Sequence, residues 1–467
     1  MMPNRPYLFH DLTLSICSTC LEKVEAKVIF ENGRVYLLKT CMKHGREKVL
    51  ISDDIEYYKK CRDFTKPSEM PLVWNTPIKY GCPYDCGLCP DHEQHSCLTL
   101  VEVTDQCNLQ CPICYAESSP HRKSWRSLEQ IEAMLDAVVR NEGTPDIVQI
   151  SGGEPTIHPQ FFEILDLAKR KPIRHLMINT NGIRIARDKE FARRLAAYMP
   201  GIELYLQFDS FEQEALLELR GQDLRNIREQ AIAHLNELNL STTLVVTLKK
   251  GLNDHEIGKI IQYALKQRAV RGVTFQPIQA AGRTEQFDPA TDRLTLSEVR
   301  RGIIEQSELF AAEDIIPVPC HSDCLAMGYA LKLGGRTVPL TRLIDPQVLL
   351  ESGGNTIVYE QDEVLRGKVF ELFSLNQTPL TSGFKLRELL CCLPFVKVPE
   401  HIGYDNIFRV IIMQFLDPYN FDVRSVKKSC VHIVHPDLRI IPFDTYNIFY
   451  RDGKEERLQE IRSKALR

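Results

Sequence analysis

From Leu98 to Pro277 short apolar runs alternate with helical patterns, and this alternation constrains the fold more than any other feature of the chain. Strands separated by helix-length connections pair in parallel, and their helices must then cover the sheet, so the stretch reads as an α/β layer structure. The expected strands are 98–104, 147–151, 175–179, 203–208, 242–248 and 272–277. Between the first two, Ser127-Leu128-Glu129-Gln130 forms a capping box, and Leu128, Ile131, Leu135 and Val138 follow on one helical face. In parallel barrels the chemistry lies at the carboxyl ends of the strands, which directs attention to the residues that close each run.

The first run is followed by Cys107-Asn-Leu-Gln-Cys111-Pro-Ile-Cys114-Tyr115. Three cysteines in a C-x3-C-x2-C loop can hold three irons of a four-iron cluster, leaving the fourth iron open to bind and reduce a ligand. The second run is followed by Ser151-Gly152-Gly153-Glu154-Pro155. Together, in this order, the two motifs resemble the radical S-adenosylmethionine superfamily. The resemblance implies a partial (βα)6 TIM-like barrel. It also implies that Cys107, Cys111 and Cys114 ligate the 4Fe-4S cluster, while Gly152, Gly153 and Glu154 contact the amino group of S-adenosylmethionine. Tyr115 takes the aromatic position beside the adenine, and Asn179 and Gln207 become contacts to the ribose or methionine. Asn179-Thr180-Asn181-Gly182, Gln207-Phe208-Asp209-Ser210 and Gln276-Pro277-Ile278 close strands, where loop capping is the alternative reading of each residue. Arg220 could pair with a carboxylate, but reads first as a surface arginine.

The remaining cysteines fall into groups. Cys17-x2-Cys20 and Cys41-x2-His44 form two knuckles around a short strand pair that turns at Asn32-Gly33, which suits one mononuclear zinc or iron ion. Cys82, Cys86 and Cys89 repeat the C-x3-C-x2-C spacing, and with Cys97 they offer four thiolates for a fully ligated auxiliary cluster. Cys320 and Cys324 lie in a polar, proline-flanked loop and, with Cys430, suggest a second auxiliary cluster. Cys391 and Cys392 sit in an apolar run and read as small buried hydrophobes, and Cys61 is unassigned.

The full series of knuckles, C-P-Y-D-C-G-L-C, C-N-L-Q-C-P-I-C-Y, G-G-E-P and P-C-H-x-x-C is similar to the archaeal tetraether lipid synthases, also described as hydroxymethylpterin methyltransferases. That resemblance runs from about Cys17 to Cys430. It implies an enzyme that abstracts hydrogen from unactivated C–H bonds of lipid tails and joins carbons. It also implies a low-potential donor of the ferredoxin or flavodoxin type and peripheral contact with a membrane. The alternatives are a radical methyltransferase acting on a pterin or other small molecule, and a peptide maturase. The apolar segments Phe370–Phe373, Leu386–Phe395 and Ile407–Phe421 read as an acyl tunnel or as ordinary core.

Composition sets outer bounds. The 467 residues, 43% of them apolar, suffice for more than one core. A formal charge of −4 gives no electrostatic reason to expect nucleic acid. Sixteen cysteines with no signal sequence indicate a reducing, cytoplasmic setting and metal ligation in preference to disulfides. The expected division is a metal-knuckle domain at 1–65, an auxiliary-cluster segment at 66–97, the barrel at 98–282 and a C-terminal substrate and auxiliary-cluster domain at 283–467.

Overall fold

A computed structural model describes residues 5–67, 69–284, 287–333, 336–351 and 404–465. Four antiparallel strands open the chain: β1 (Leu8–Ile16), β2 (Lys23–Glu31), β3 (Arg34–Cys41) and β4 (Gly45–Ser52), followed by helix α1 (Ile55–Asp63). Asn32 and Gly33 both take positive φ, which closes the two-residue turn between β2 and β3.

The expected parallel strands form nearly as read: β5 (Leu98–Thr104), β7 (Ile147–Gly152), β8 (His175–Thr180), β9 (Ile202–Gln207), β10 (Thr242–Leu248) and β11 (Val270–Pro277). A two-residue β6 (Ile113–Cys114) inside the cysteine loop pairs with β12 (Arg283–Thr284). The Ser127/Gln130 capping box starts helix α2 (Leu128–Glu142), whose Ile131, Leu135 and Val138 are fully buried against the sheet. The chain is thus an α/β protein with a partial barrel, an N-terminal metal-knuckle sheet and a C-terminal cysteine region.

The C-terminal part does not stand apart from this sheet. Its strands are β13 (Ile316–Pro317), β14 (Leu325–Leu333), β15 (Arg336–Pro339), β16 (Ile407–Met413), β17 (Val431–Val434) and β18 (Ile440–Pro442). They complete a twelve-stranded sheet in the order β13-β14-β16-β11-β10-β9-β8-β7-β5-β17-β18, with β15 on β14. β16 runs parallel to β11 and β17 parallel to β5, so both edges of the six-unit barrel are extended by one more parallel strand. The physical cause is edge protection: β5 and β11 are apolar and would otherwise present unpaired backbone. Phe370–Phe373, Leu386–Phe395, Cys391 and Cys392 lie outside the described residues.

Side chains alternate across each strand, so every second residue faces the barrel interior. At its amino-terminal end this interior holds a buried charge network. Arg409 of β16 donates to both oxygens of Glu203 on β9, at 2.6 and 2.7 Å, and His175 lies 3.1 Å from the same carboxylate. Thr243 and Tyr404 add hydroxyl donors. A strand from the C-terminal part is thereby tied to the middle of the barrel.

Candidate active site and metal centres

The cysteine loop and the glycine motif meet because the backbones of the two strand ends nearly touch. Gly153 N–H donates to the Thr104 carbonyl at 2.8 Å, and Glu154 N–H to the Gln106 carbonyl at 3.0 Å. A Cβ on Gly153 would lie 2.1 Å from the Gln106 oxygen, and one on Gly152, whose φ is +122°, 2.2 Å from the Thr104 oxygen. Only glycine permits that approach. Glu154 is 1% exposed, and its carboxylate accepts from Thr156 N and Oγ1, Thr180 Oγ1 and Asn181 N at 2.6–3.1 Å. Burial pushes its carboxyl up from the ordinary range despite these donors.

Cys107 and Cys111 are buried and Cys114 is half-buried, and all three line one cavity of about 160 Å³ together with Gly152, Gly153, Glu154, Asn179 and Gln207. Three thiols on one loop, facing a cavity with a glycine-lined wall, fit a three-cysteine iron–sulfur site with room for a ligand on the open iron. Burial pushes the Cys107 and Cys111 thiols up, so loading metal there expels protons from a desolvated site.

A belt of polar side chains crosses the mouth of the barrel. Asn179 Nδ2 donates to Ser151 Oγ at 3.3 Å, Gln207 Nε2 donates to Asn179 Oδ1 at 2.8 Å, and Arg220 donates to Gln207 Oε1 at 2.9 Å. Arg220 is no surface residue. It grips Asp209 through two bonds, at 2.6 and 2.8 Å, reaches Thr247 Oγ1 at 2.9 Å and donates toward the Cys111 thiol. Burial would raise the Asp209 carboxyl, but Arg220 and Arg228 hold it below its ordinary value. Nothing in the sequence marked Arg220 as internal, because the helix bearing it ends at a surface-like Gly221.

Tyr115 lies inside the site, its ring 4.9 Å from Phe443 and its hydroxyl 3.3 Å from Ser151 Oγ. Arg451 stacks over it at 5.3 Å and is itself held by Glu102 through bonds of 2.7 and 3.2 Å. Phe443 and Arg451 come from the C-terminal part and were not legible as site residues.

In the N-terminal sheet the ligand atoms of Cys17, Cys20, Cys41 and His44 all lie within 4.8 Å of one another, as a four-ligand metal site requires. Cys17 Sγ is 3.4 Å and Cys41 Sγ 3.5 Å from His44 Nδ1.

The auxiliary cysteines regroup relative to the sequence reading. Cys97 does not join Cys82, Cys86 and Cys89; its Sγ lies within 4.8 Å of those of Cys320 and Cys430. The cause is strand register. Parallel pairing sets Leu98 opposite Val431, and Leu98 N–H donates to the Cys430 carbonyl at 3.1 Å, so the residues just before the two strands become neighbours. Cys324 is outside this group, with its sulfur 3.4 Å from Ser425 Oγ. Cys82, Cys86 and Cys89 remain on one loop, where the Cys86 sulfur accepts from Thr445 Oγ1 and Cys86 N–H donates to the Tyr450 hydroxyl, both at 3.0 Å. All three cysteines of the Cys97 group are 4% exposed or less, a dry thiol cluster suited to an iron–sulfur centre.

Among the described residues no helix is long and apolar enough to cross a membrane.

Comparison with known proteins agrees with this geometry. The profile of the Radical SAM superfamily matches residues 101–264, and that of the HMPTM N-terminal zinc ribbon domain matches residues 9–53. The chain is 32% identical over 494 aligned residues to 7,8-dihydro-6-hydroxymethylpterin dimethyltransferase of Methanocaldococcus jannaschii, covering 95% of each protein. It is 29% identical over 184 residues to GTP 3′,8-cyclase of Chlorobaculum tepidum, covering 38% of this chain and 53% of that one. The crystal structure of Streptococcus suis SuiB bound to S-adenosylmethionine aligns with a TM-score of 0.38 at 16% identity, over 44% of this chain and 46% of that one.

Proposed function

The chain belongs to the radical S-adenosylmethionine superfamily, in the family of its full-length Methanocaldococcus jannaschii relative, and on that premise we propose that it forms a carbon–carbon bond at an unactivated C–H position of a lipid tail. When bound, the 4Fe-4S cluster and S-adenosylmethionine supply a 5′-deoxyadenosyl radical that abstracts hydrogen. Cys107, Cys111 and Cys114 hold the cluster. Gly152, Gly153, Glu154, Asn179, Gln207 and Tyr115 frame the S-adenosylmethionine, and Arg220 offers the guanidinium for its carboxylate.

One observation carries the tail reading. Part of the cavity lining is apolar, with Leu98, Leu100, Val431, Met413, Phe415 and Phe443. Phe415 stacks on Phe443 with centroids 4.0 Å apart, so these two rings pack against each other in the lining. An aliphatic carbon held there is shielded from water, and a short-lived radical needs both that exclusion and close positioning. Exposed Leu72, Val73 and Trp74 support peripheral contact with a bilayer, since tryptophan and aliphatic side chains favour the membrane interface. A ferredoxin or flavodoxin type of donor, a cytoplasmic setting and the division at residues 65, 97 and 282 belong to the same proposal.

A second reading, methyl transfer to a pterin or similar heterocycle, is favoured by Gln149. This side chain is 4% exposed and lines the cavity, and its Oε1 has no hydrogen-bond partner. A buried amide left unmet costs about 1–3 kcal/mol, which a lactam or amine edge would recover.

The deciding experiment follows 5′-deoxyadenosine formation by anaerobically purified protein under strong reductant, with diether or diacyl lipids in one arm and 7,8-dihydro-6-hydroxymethylpterin in the other. Cys111→Ala sets the background. Stimulation by lipid supports the tail reading, stimulation by the pterin alone moves the assignment to the heterocycle, and stimulation by neither rejects both.

A further inference from the structure

The cysteine loop is held from a second side, away from the glycine motif. Arg283 follows the last of the six barrel strands, in the two-residue β12, and does not line the cavity. Its Nε donates to the Cys111 carbonyl at 2.6 Å and its Nη2 to the Ser118 carbonyl at 2.8 Å. These two N–H groups share one edge of the planar guanidinium, so a single side chain holds both ends of the 111–118 segment side by side. The backbones meet at the same place. Arg283 pairs with Cys114 and Thr284 with Ile113. Gly282, at φ +62°, lies so close that a Cβ there would stand 2.4 Å from both the Cys114 and the Tyr115 carbonyl oxygens.

The segment needs such an anchor. It carries Cys111, Cys114 and Tyr115, yet its regular structure is limited to the two residues Ile113–Cys114 that pair with β12. Glu117 takes φ +51°, a conformation that L side chains adopt only at a cost. Carbonyls in a loop of this kind have no ladder or helix to meet them and must find donors elsewhere. The residues before Arg283 are themselves fixed. Ile278 N–H donates to the Leu248 carbonyl at 2.9 Å and Ala280 N–H to Asp417 Oδ2 at 2.8 Å, and Asp417 is paired with the buried Arg293. Arg283 therefore ties the cysteine loop to a segment whose own place is set by β10 and by the turn after β16.

We propose that Arg283 is a positioning residue for S-adenosylmethionine. It acts through the loop: with both carbonyls held, Cys114 and Tyr115 keep their places on the cavity wall, where they frame the cofactor. Groups that frame a ligand must sit within about 0.5 Å of their productive positions, so slack in this loop costs binding even when every thiol is present. The inference rests on the assignment of the Cys107 loop to cluster and cofactor binding.

The test uses the full chain, reconstituted anaerobically, with iron counted per chain. Arg283→Met keeps the apolar stem and removes both donors. Calorimetry should show S-adenosylmethionine binding weakened by about tenfold, the factor that one net hydrogen bond supplies, at unchanged iron content. Hydrogen exchange should quicken at residues 111–118 and 278–284 and stay as it was in the rest of the barrel. Arg283→Lys keeps the charge but cannot span both carbonyls, so its affinity should fall between the two. A lower melting midpoint with parental affinity would mark a merely structural role and overturn the proposal. Should Arg283→Met fail to load iron, Arg283→Lys decides by the same titration: weakened binding supports the proposal and parental affinity rejects it. A parent protein that binds iron but no S-adenosylmethionine removes the premise instead, which separates failure of the cofactor assignment from failure of the role given to Arg283.

Discussion

Replacing Arg409 by methionine isolates the charge network that ties the C-terminal part of the chain to the barrel. Methionine keeps most of the length and apolar packing of the side chain but removes both bonds to Glu203, which is 0% exposed. Breaking one side of a buried, hydrogen-bonded pair costs about 3–5 kcal/mol, because the partner charge is left stranded. For a chain of 467 residues that corresponds to a fall of roughly 3–5 °C in the unfolding midpoint. The pH dependence sharpens the test. Burial alone would raise the Glu203 carboxyl, but Arg409, then His175 and Thr243, hold it well below the ordinary range. A depressed folded value contributes stability that is complete above the unfolded value of about 4.3 and is lost as pH falls through the folded value. Without Arg409, burial prevails and the sign reverses, so the variant loses stability as pH rises through about 4.3. The gap between the two proteins should therefore be widest near neutral pH and close in acid. Chemical denaturation at several pH values measures it. In Arg409→Met with Glu203→Gln most of the loss should return. A cost below about 1 kcal/mol at neutral pH, or a gap that does not narrow in acid, refutes the reasoning.

Gly153→Ala should drive a methyl group into the Gln106 carbonyl, displace the start of the cysteine loop and lower both iron content and 5′-deoxyadenosine yield, with about 1–3 kcal/mol of lost stability. Iron analysis beside a melting curve checks it, and full iron with full cleavage would contradict the close approach. Arg220→Lys cannot reproduce the forked contacts to Asp209, Gln207 and Thr247, and S-adenosylmethionine binding should weaken by about tenfold at unchanged iron content, as read by calorimetry. Cys41→Ser should remove one equivalent of metal and the hydrogen-exchange protection of β1 to β4, leaving the iron on the Cys107 loop as it was.

Much of the site was readable because it is local in sequence. The cysteine loop, the glycine motif and the strands that carry them need no long-range information, since strand ends and spacing place them. The knuckles of the N-terminal sheet are local for the same reason: Cys41 ends β3, and His44 lies in the turn before β4. Arg220 and Arg451 were not readable. An arginine at a helix end looks alike whether it faces water or an aspartate across the barrel mouth, and only the position of Asp209 or Glu102 distinguishes the two.

The grouping of the auxiliary cysteines shows the boundary between the two kinds of information. Chain proximity placed Cys97 with Cys82, Cys86 and Cys89, and Cys324 with Cys320. The parallel pairing of β17 on β5 moved Cys97 beside Cys430, more than three hundred residues away along the chain. The sequence by itself determined the α/β class and the position of the three-cysteine loop after the first strand, because periodicity and spacing act over a few residues. Tertiary structure alone decided which distant thiols converge, which arginines are buried and which strands close the barrel edges, because register between strands is set by packing across the whole sheet.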